Sequence, residues 1–192
     1  ELGYRIKLLG VARRTETGVE QRVTPTMLPK ESALANVKGV LNSVAIDGDA
    51  VGEVMLIGPG AGGDATASAV LADLIDIARG FSAPVLGVPA GDLKAFRRAR
   101  MQRHEGGYYV RLDVYDKPGA FAAIARRMAE KQISLESIVQ RNRHRSGNPQ
   151  DPQPVMLITY DTTEAQIREA LDAIEADGNI VGRAQMIRIE HV

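Results

Sequence analysis

"YDKPGAFAAIARRMAEKQISLESIVQR", residues 115–141, is the stretch that decides the fold of the second half of this chain. It begins at the end of a strand and turns at Asp116-Lys117-Pro118-Gly119, because aspartate, proline and glycine are common turn residues. Apolar residues then recur at helical spacing, which predicts a helix with one inward face: Phe121, Ile124, Ala125 and Met128. Residues 134–141 predict a second strand.

Further elements on both sides complete an alternating pattern. "YYVRLDVYD", residues 108–116, alternates apolar and polar side chains and predicts the strand that leads into the turn. Downstream, residues 154–162 predict a strand, residues 163–179 a helix capped by Thr163, and residues 183–192 a last strand. The order βαββαβ predicts two helices on one face of a four-stranded antiparallel sheet.

The first third of the chain predicts strands. Alternation before and after "TGVE", residues 17–20, predicts a hairpin. Pro25 and Pro29 argue against a central strand in the following segment, which is predicted as a loop with a short helical turn. Two further strands flank Asp47-Gly48, a dipeptide that favours a tight hairpin turn.

A glycine-rich turn then leads into a helix. The turn opens "GPGAGGDATASAV", residues 58–70, and has the composition of a phosphate cradle. No lysine follows its glycines as in a Walker loop, and no ribose-binding acid frames them as in a dinucleotide fingerprint. Asp64 is placed to cap the helix and Gly80 to end it. The alanine-rich surface between them predicts close packing on both sides.

Residues 81–107 differ in composition from both halves and predict a linker, because prolines and glycines interrupt regular structure there. Basic residues crowd at its end: Lys94, Arg97, Arg98, Arg100 and Arg103. This cluster indicates either a solvated linker or a patch that binds an anion or a partner. No two of the histidines have metal-ligand spacing, so we predict no metal site at His104, His144 or His191.

The composition limits the class of function. The chain has 192 residues, with 24 Lys and Arg, 24 Asp and Glu, a formal net charge of zero and no cysteine. Charge balance argues against a nucleic-acid partner, and the lack of cysteine excludes thiolate sites. No apolar stretch approaches the roughly 20 residues of a membrane helix, and the first residues predict a strand rather than a secretory signal. We therefore expect a cytoplasmic protein with no membrane partner, and a fragment or processed product because residue 1 is glutamate.

Residues 108–192 resemble an ACT domain, the small amino-acid-sensing module of metabolic enzymes, whose hallmark is an Asp-x-Pro-Gly turn after the first strand. The resemblance implies that the helix N-terminus holds an amino-acid carboxylate, and that Asp116 caps this helix or accepts a bond from the ligand's ammonium. Serine stands where many members have an asparagine. The implied effector-binding residues are Asp116, Pro118, Gly119, Ala120 and Ser134. A plain strand-to-helix turn is the alternative interpretation of the motif.

Residues 1–79 resemble the C-terminal part of the catalytic region of homoserine dehydrogenase, through "YRIKLLGVARR", "RVTPTMLP" and the segment from "LANVKGV" to "LIDIA". The monofunctional enzyme carries a C-terminal ACT domain. The resemblance implies an α+β chain with an incomplete mixed-sheet substrate-domain segment (1–80), a linker (81–107) and a βαββαβ ferredoxin-like ACT domain (108–192). It also implies that Gly60, Ala61 and Gly62 approach the nicotinamide end of NAD or NADP, unless the turn serves packing alone.

The family interconverts L-homoserine and L-aspartate 4-semialdehyde in threonine, methionine and isoleucine biosynthesis. Its catalytic lysine lies in a Gly-x-Asp-x-x-x-Lys segment that this sequence lacks, and Lys7 is predicted as an exposed strand residue. The resemblance thus implies no catalytic residue and no bound cofactor in this chain, threonine as effector, and a homodimer or higher even oligomer paired at sheet edges. A non-enzymatic amino-acid-binding or assembly module is the alternative. RNA binding through the basic linker ranks last because the net charge is zero.

Overall fold

A computed structural model describes residues 2–81, 83–84, 87–95, 97–99, 105–140 and 151–191. The strands are β1 (Tyr4–Thr15), β2 (Gly18–Pro29), β3 (Leu41–Gly48), β4 (Gly52–Pro59), β5 (Glu105–Gly106), β6 (Tyr108–Tyr115), β7 (Leu135–Gln140), β8 (Pro152–Thr159), β9 (Thr162–Thr163) and β10 (Ile180–Ile189). The helices are α1 (Gly63–Ala78), α2 (Ala120–Glu130) and α3 (Glu164–Ala176). Two compact units result: Glu1–Pro29 with Arg98–His191, and Lys30–Arg97.

The main sheet of the first unit has six strands in the order β1-β2-β10-β6-β8-β7. Four of them, β10-β6-β8-β7, are antiparallel neighbours and carry α2 and α3 in the predicted βαββαβ order. The α+β class and the ferredoxin-like ACT fold are thereby confirmed. The β1–β2 hairpin extends this sheet, because β2 pairs in parallel with the end of β10.

Alternation along β6 builds the core of the first unit. Val110, Leu112 and Val114 point to one face and are at most 4% exposed. From α2 the buried residues are Ala120, Ile124 and Met128, which recur every four residues. Phe121 is 37% exposed, so its predicted inward position is wrong. One residue after Ala120, it lies about 100° around the helix from the buried stripe.

Helix α3 begins and ends where the sequence predicts. The hydroxyl of Thr163 accepts from the amide of Gln166 at 3.3 Å, and the Gln166 side chain accepts from the Thr163 amide, which forms a capping box. Gly178, at φ 66°, follows the C-terminal turn in the left-handed conformation that favours glycine. The predicted inward-facing apolar residues of this helix are buried: Ile167, Leu171 and Ile174.

Strand β2 corrects the prediction that Pro25 and Pro29 exclude a strand. The strand runs through both prolines and pairs with β1 along its whole length, with Pro25 opposite Leu8. Its pairing with β10 is confined to Thr26 and Met27. At Pro25 the strand therefore has a ladder neighbour on one side only, and this edge position tolerates the missing amide proton.

The compact units do not follow the two segments distinguished in the sequence. Met27 of β2 packs with Ile158 and Ile189 in a small core on the sheet face opposite the helices, and thereby ties the hairpin to the first unit. The linker also takes part, since Ala99 is buried and its amide donates to the Val19 carbonyl at 3.0 Å. The predicted boundaries at residues 80 and 108 stay a prediction about sequence segments. Arg100, Arg103, His104 and His144 lie outside the described residues.

The second unit contains the predicted hairpin β3–β4 and helix α1. The hairpin turn lies at residues 49–51, because Gly48 still pairs with Gly52. The N-cap of α1 is Gly62 rather than Asp64, which lies in the first turn. Gly80 ends the helix as predicted: its amide donates to Ile77, and the next amide reaches back to the Asp76 carbonyl, a Schellman arrangement.

Helix α1 packs against little within the described chain. None of its residues is buried, and Leu71, Leu74 and Ile77 are 57%, 57% and 72% exposed. The predicted close packing on both sides of this helix is therefore absent among the described residues. No helix among the described ranges is long and apolar enough to cross a membrane.

An ion cluster joins α2 to α3. The Arg127 guanidinium binds Asp177 through Nη2 at 2.7 Å and Nε at 2.9 Å, and Glu130 through Nη1 at 2.9 Å. These hydrogen bonds hold the pKa of Asp177 below its ordinary value of 3.8 and lower that of Glu130 as well. A carboxylate with a lowered pKa in the folded state stabilises the fold above its unfolded pKa, and this stabilisation is lost as the pH falls through the folded pKa.

Replacing Asp177 by asparagine should therefore lower the urea midpoint of unfolding at about pH 7, and this effect should become smaller as the pH falls toward about 3 and below. The measurement is chemical denaturation followed by circular dichroism at several pH values. Asp161→Asn, at an exposed aspartate outside the cluster, is the control. An equal loss at both pH values would show that packing, rather than the ion cluster, carries the effect.

Candidate functional site

The turn between β6 and α2 is the predicted effector site, and its residues 116–119 are exposed. Gly119 is the N-cap of α2 and has the left-handed conformation, with φ 86°. The amide of Ala120 donates to the Lys117 carbonyl at 3.2 Å, and the helix ladder starts with Ala123 N–H donating to Gly119 at 3.0 Å. A side chain other than glycine at residue 119 would strain the backbone that aims the helix start outward.

The hydrogen bonds of this turn decide which groups are open to a ligand. Ala120 is 3% exposed and its amide is occupied, so this predicted effector residue offers no donor. The helix start instead offers the amides of Phe121 and Ala122, which precede the first ladder bond and donate to no acceptor in the described chain. Asp116 makes no cap bond, because the N-cap is Gly119 and no side chain caps this helix. The predicted capping role of Asp116 is therefore wrong.

Ser134 lies at the other end of the sheet from this turn. It is exposed, and its carbonyl accepts from the Tyr160 amide at 3.0 Å. Along β8, Pro152 lies opposite the end of β6 and Thr159 opposite the start of β7, so the two sites differ by seven residues or roughly 23 Å. Within one copy of the chain, the structure does not bring Ser134 together with Asp116 and Gly119.

The glycine turn before α1 is exposed at Gly60, Ala61 and Gly62. The Gly60 amide donates to Val40 at 3.1 Å, and a Cβ on Gly60 would overlap the side chain of Asn42. Gly62 has φ 128°, which strains any other residue. Both glycines thus have a local structural role. The contact of this turn with a nicotinamide stays a prediction, and the turn fits such a group as a lining backbone rather than as a cradle.

Buried charges in the first half of β2 form a cluster that the sequence reasoning missed. The Arg22 side chain is 2% exposed; its Nη1 binds Glu20 at 3.1 Å, and its Nη2 binds Glu190 just beyond β10. The alternation in "VEQRV" was a usable signal, because it places Glu20 and Arg22 on the same face as the buried Thr26. A charge at an inward position of a strand needs a partner inside.

A second buried arginine lies on β10. Arg188 is 8% exposed, binds Glu164 in the first turn of α3 at 2.5 Å, and stacks over the Tyr108 ring with its guanidinium carbon 5.4 Å from the ring centre. Burial raises the pKa of Tyr108 to about 12, although Arg188 opposes this shift. The hydroxyl therefore stays protonated at neutral pH, and it does not act as a base there.

Three buried polar atoms of this cluster have no hydrogen-bond partner among the described residues: Arg22 Nε, Arg188 Nη1 and Tyr108 Oη. Such donors cost free energy when they are left unpaired. Over the described ranges, no group of three or more His, Asp or Glu residues is placed to hold a metal ion.

The comparisons with known proteins find a family match in each half of the chain. Residues 108–179 match the ACT domain family and residues 1–75 match the homoserine dehydrogenase family, so the chain is an ACT-domain protein. The homoserine dehydrogenases of Pseudomonas aeruginosa and Neisseria gonorrhoeae are each 40% identical to it, over 100% and 99% of its length. It spans 45% and 44% of these relatives, less than half of each.

A solved structure extends the comparison to the fold. The crystal structure of a homoserine dehydrogenase from Thiobacillus denitrificans has a TM-score of 0.84 and 39% identity, and the match covers 99% of this chain and 43% of that one. The chain belongs to the homoserine dehydrogenase family and carries an ACT domain.

Replacing Tyr108 by phenylalanine should leave the free energy of unfolding unchanged within about 1 kcal/mol or raise it, because the lost hydroxyl is buried and unpartnered. Urea denaturation at neutral pH measures this. The matched variant Tyr109→Phe lies on the opposite face of the same strand. A loss above about 2 kcal/mol for Tyr108→Phe alone would reveal a hydrogen bond to this hydroxyl.

Proposed function

We propose that this chain is the regulatory and assembly part of a homoserine dehydrogenase, which interconverts L-homoserine and L-aspartate 4-semialdehyde with NAD or NADP. The family matches at residues 1–75 and 108–179 support this assignment. Alone, the chain is inactive, because hydride transfer needs a held dinucleotide and an acid–base lysine, and the sequence contains no Gly-x-Asp-x-x-x-Lys segment. In the complete enzyme, Gly60 to Gly62 would line the nicotinamide side of the cofactor.

The regulatory activity is amino-acid sensing, with threonine as the effector. The observation that carries it is the exposed turn at Gly119, which leaves the amides of Phe121 and Ala122 at the positive end of α2. These amides would hold the ligand's carboxylate, since anions are favoured at helix N-termini. Asp116 is exposed beside them and would accept a hydrogen bond from the ligand's ammonium.

The effector site is completed by a second copy of the chain. Ser134 lies roughly 23 Å along the sheet from the turn, farther than one amino acid spans. Strand β7 is the outermost strand of the sheet on this side among the described residues. Antiparallel pairing of β7 with its copy would place Ser134 of the partner subunit at the end of the combined sheet that carries the turn. The proposed assembly is therefore a homodimer or a higher even oligomer.

Titration of the chain with L-threonine should release saturable heat, and Asp116→Ala should weaken binding at least about tenfold because it removes the partner of the ammonium. Asp172→Ala, at an exposed aspartate of α3, should bind as the wild type does. L-serine and L-isoleucine test selectivity. No heat at millimolar threonine, from a folded dimer, would mean that the ACT domain serves assembly alone.

Pairing through β7 predicts that Ile138→Glu shifts the dimer to monomer, because Ile138 is 45% exposed on that strand and paired copies would bring like charges together. Val181→Glu, at a 41% exposed position on β10, should leave the dimer intact. Sedimentation velocity over a concentration series measures both. Dimers that resist Ile138→Glu, or that dissociate only with Val181→Glu, would contradict pairing at β7.

A further inference from the structure

We infer that two buried arginines and their partly buried carboxylate partners form a latch that couples the β1–β2 hairpin to helix α3: Arg22 with Glu190, and Arg188 with Glu164. The latch deepens the proposed regulatory function, because it joins the segment that matches homoserine dehydrogenase to the ACT domain. It rests on that function for its biological role, although its existence is tested without any ligand.

The backbone attachment of the hairpin to β10 is short. Strands β1 and β2 pair with each other along their whole lengths, whereas β2 pairs with β10 only at Thr26 and Met27. One more bond follows, from the Glu190 amide to the Met27 carbonyl at 3.0 Å. A ladder this short acts as a pivot, and the apolar contacts of Met27 and the hydrogen bond from the Ala99 amide to the Val19 carbonyl add further points of attachment.

Arg22 supplies a further point of attachment. It lies four residues before Thr26 on the same face of β2, and its side chain binds Glu190 beyond the end of β10. Glu20 on the same strand fixes the other side of its guanidinium. Arg22 thus adds a side-chain contact on β2, four residues from the ladder, to the attachments that the backbone and Met27 supply.

Arg188 carries the contact onward to the helix layer. It lies opposite Thr26 in the ladder and binds Glu164, the first residue of α3. Tyr108 lies opposite Arg188 in the ladder of β10 with β6, and its ring packs against the Arg188 guanidinium. Movement of the first turn of α3 therefore changes the position of Arg188, which adjoins the pivot of the hairpin.

The energetics of the latch suit a contact with two arrangements. Each arginine leaves one buried nitrogen unpaired, Nε of Arg22 and Nη1 of Arg188. Buried ion pairs repay little more than the cost of removing their charges from water, and the unpaired donors reduce the gain further. The two ion pairs therefore add little net stability, but a change at α3 that parts Glu164 from Arg188 leaves a buried charge without its partner, so Arg188 must shift with Glu164.

The candidate effector turn is connected to the latch through the helices. Helix α2 begins at Gly119 and is joined to α3 by two ion pairs, Arg127 with Asp177 and Lys131 with Glu169, both at 2.7 Å. Ligand binding at the start of α2 would thus act on α3 and, through Glu164, on the hairpin. Coupling along such a route requires a direct energetic test.

Hydrogen exchange measured by mass spectrometry supplies this test, with Glu164→Gln and Glu190→Gln as variants. Coupling predicts that Glu164→Gln speeds exchange in residues 18–29 by about tenfold, and that Glu190→Gln does the same in the first turn of α3. The double variant should show less than the product of the two single effects. Asp113→Asn, which breaks the exposed ion pair with Arg111, is the control and should change neither segment.

Purely local effects would overturn the latch. In that case Glu164→Gln would change hydrogen exchange in α3 alone, Glu190→Gln would change it in the hairpin alone, and the exchange rates of the double variant would equal the product of the two single effects. Circular dichroism checks that each variant folds. Where a Gln variant unfolds, Arg188→Lys replaces it, because it keeps the charge but removes the planar fork, and the same remote effect is expected.

Addition of L-threonine separates the latch from the proposed effector function. If threonine binds, it should change exchange in residues 18–29 of the wild type and leave the Glu164→Gln hairpin unaffected. Binding that alters the hairpin equally in both proteins would overturn coupling through Glu164. If threonine does not bind, the effector proposal fails, and the ligand-free comparison still decides the latch.

Discussion

Burial of one face of β6 under α2 and α3 is the constraint on which the rest of the structure depends. Val110, Leu112 and Val114 can reach the helices only in one register, since a shift by one residue would turn all of them to the other face. That register places the Gly119 turn at one end of the sheet and Tyr108 at the other. The exposed helix start and the buried arginine cluster are therefore separate because one strand spans the distance between them.

Local signals in the sequence predicted most of the ACT domain. Period-two alternation, the Asp116–Gly119 turn and the Thr163 cap each concern residues close together in the chain, and each is present in the structure. The capping of α2 by Asp116 and of α1 by Asp64 failed, because a glycine occupies the N-cap in both helices. A favourable cap residue nearby does not fix the cap when glycine can adopt the required backbone angles.

The errors of wider consequence concern pairing between distant segments. The objection to a strand at Pro25 holds for a strand with two neighbours, and only the contact of β2 with β10 shows that the second neighbour begins one residue later. The distance between Ser134 and the turn likewise follows from the register of β8 with its neighbours. Neither register is encoded in any single stretch of sequence, so the sequence could not predict that Ser134 lies at the other end of the sheet from Asp116 and Gly119.

The arginine cluster shows why charged rather than apolar residues suit the junction of β2 with β10. An apolar contact there would be at least as stable, because buried ion pairs often gain nothing over hydrophobic packing of the same volume. It would also tolerate several orientations of the hairpin, whereas the Arg22 fork accepts carboxylates only in a narrow geometry. The hairpin has a ladder of only two residue pairs with β10. For such a hairpin, fixing its orientation relative to the sheet is harder than keeping it attached to the sheet. Charged residues at this position give less stability than apolar ones but fix the orientation of the hairpin. A contact that transmits a change between two functional segments requires such a fixed orientation.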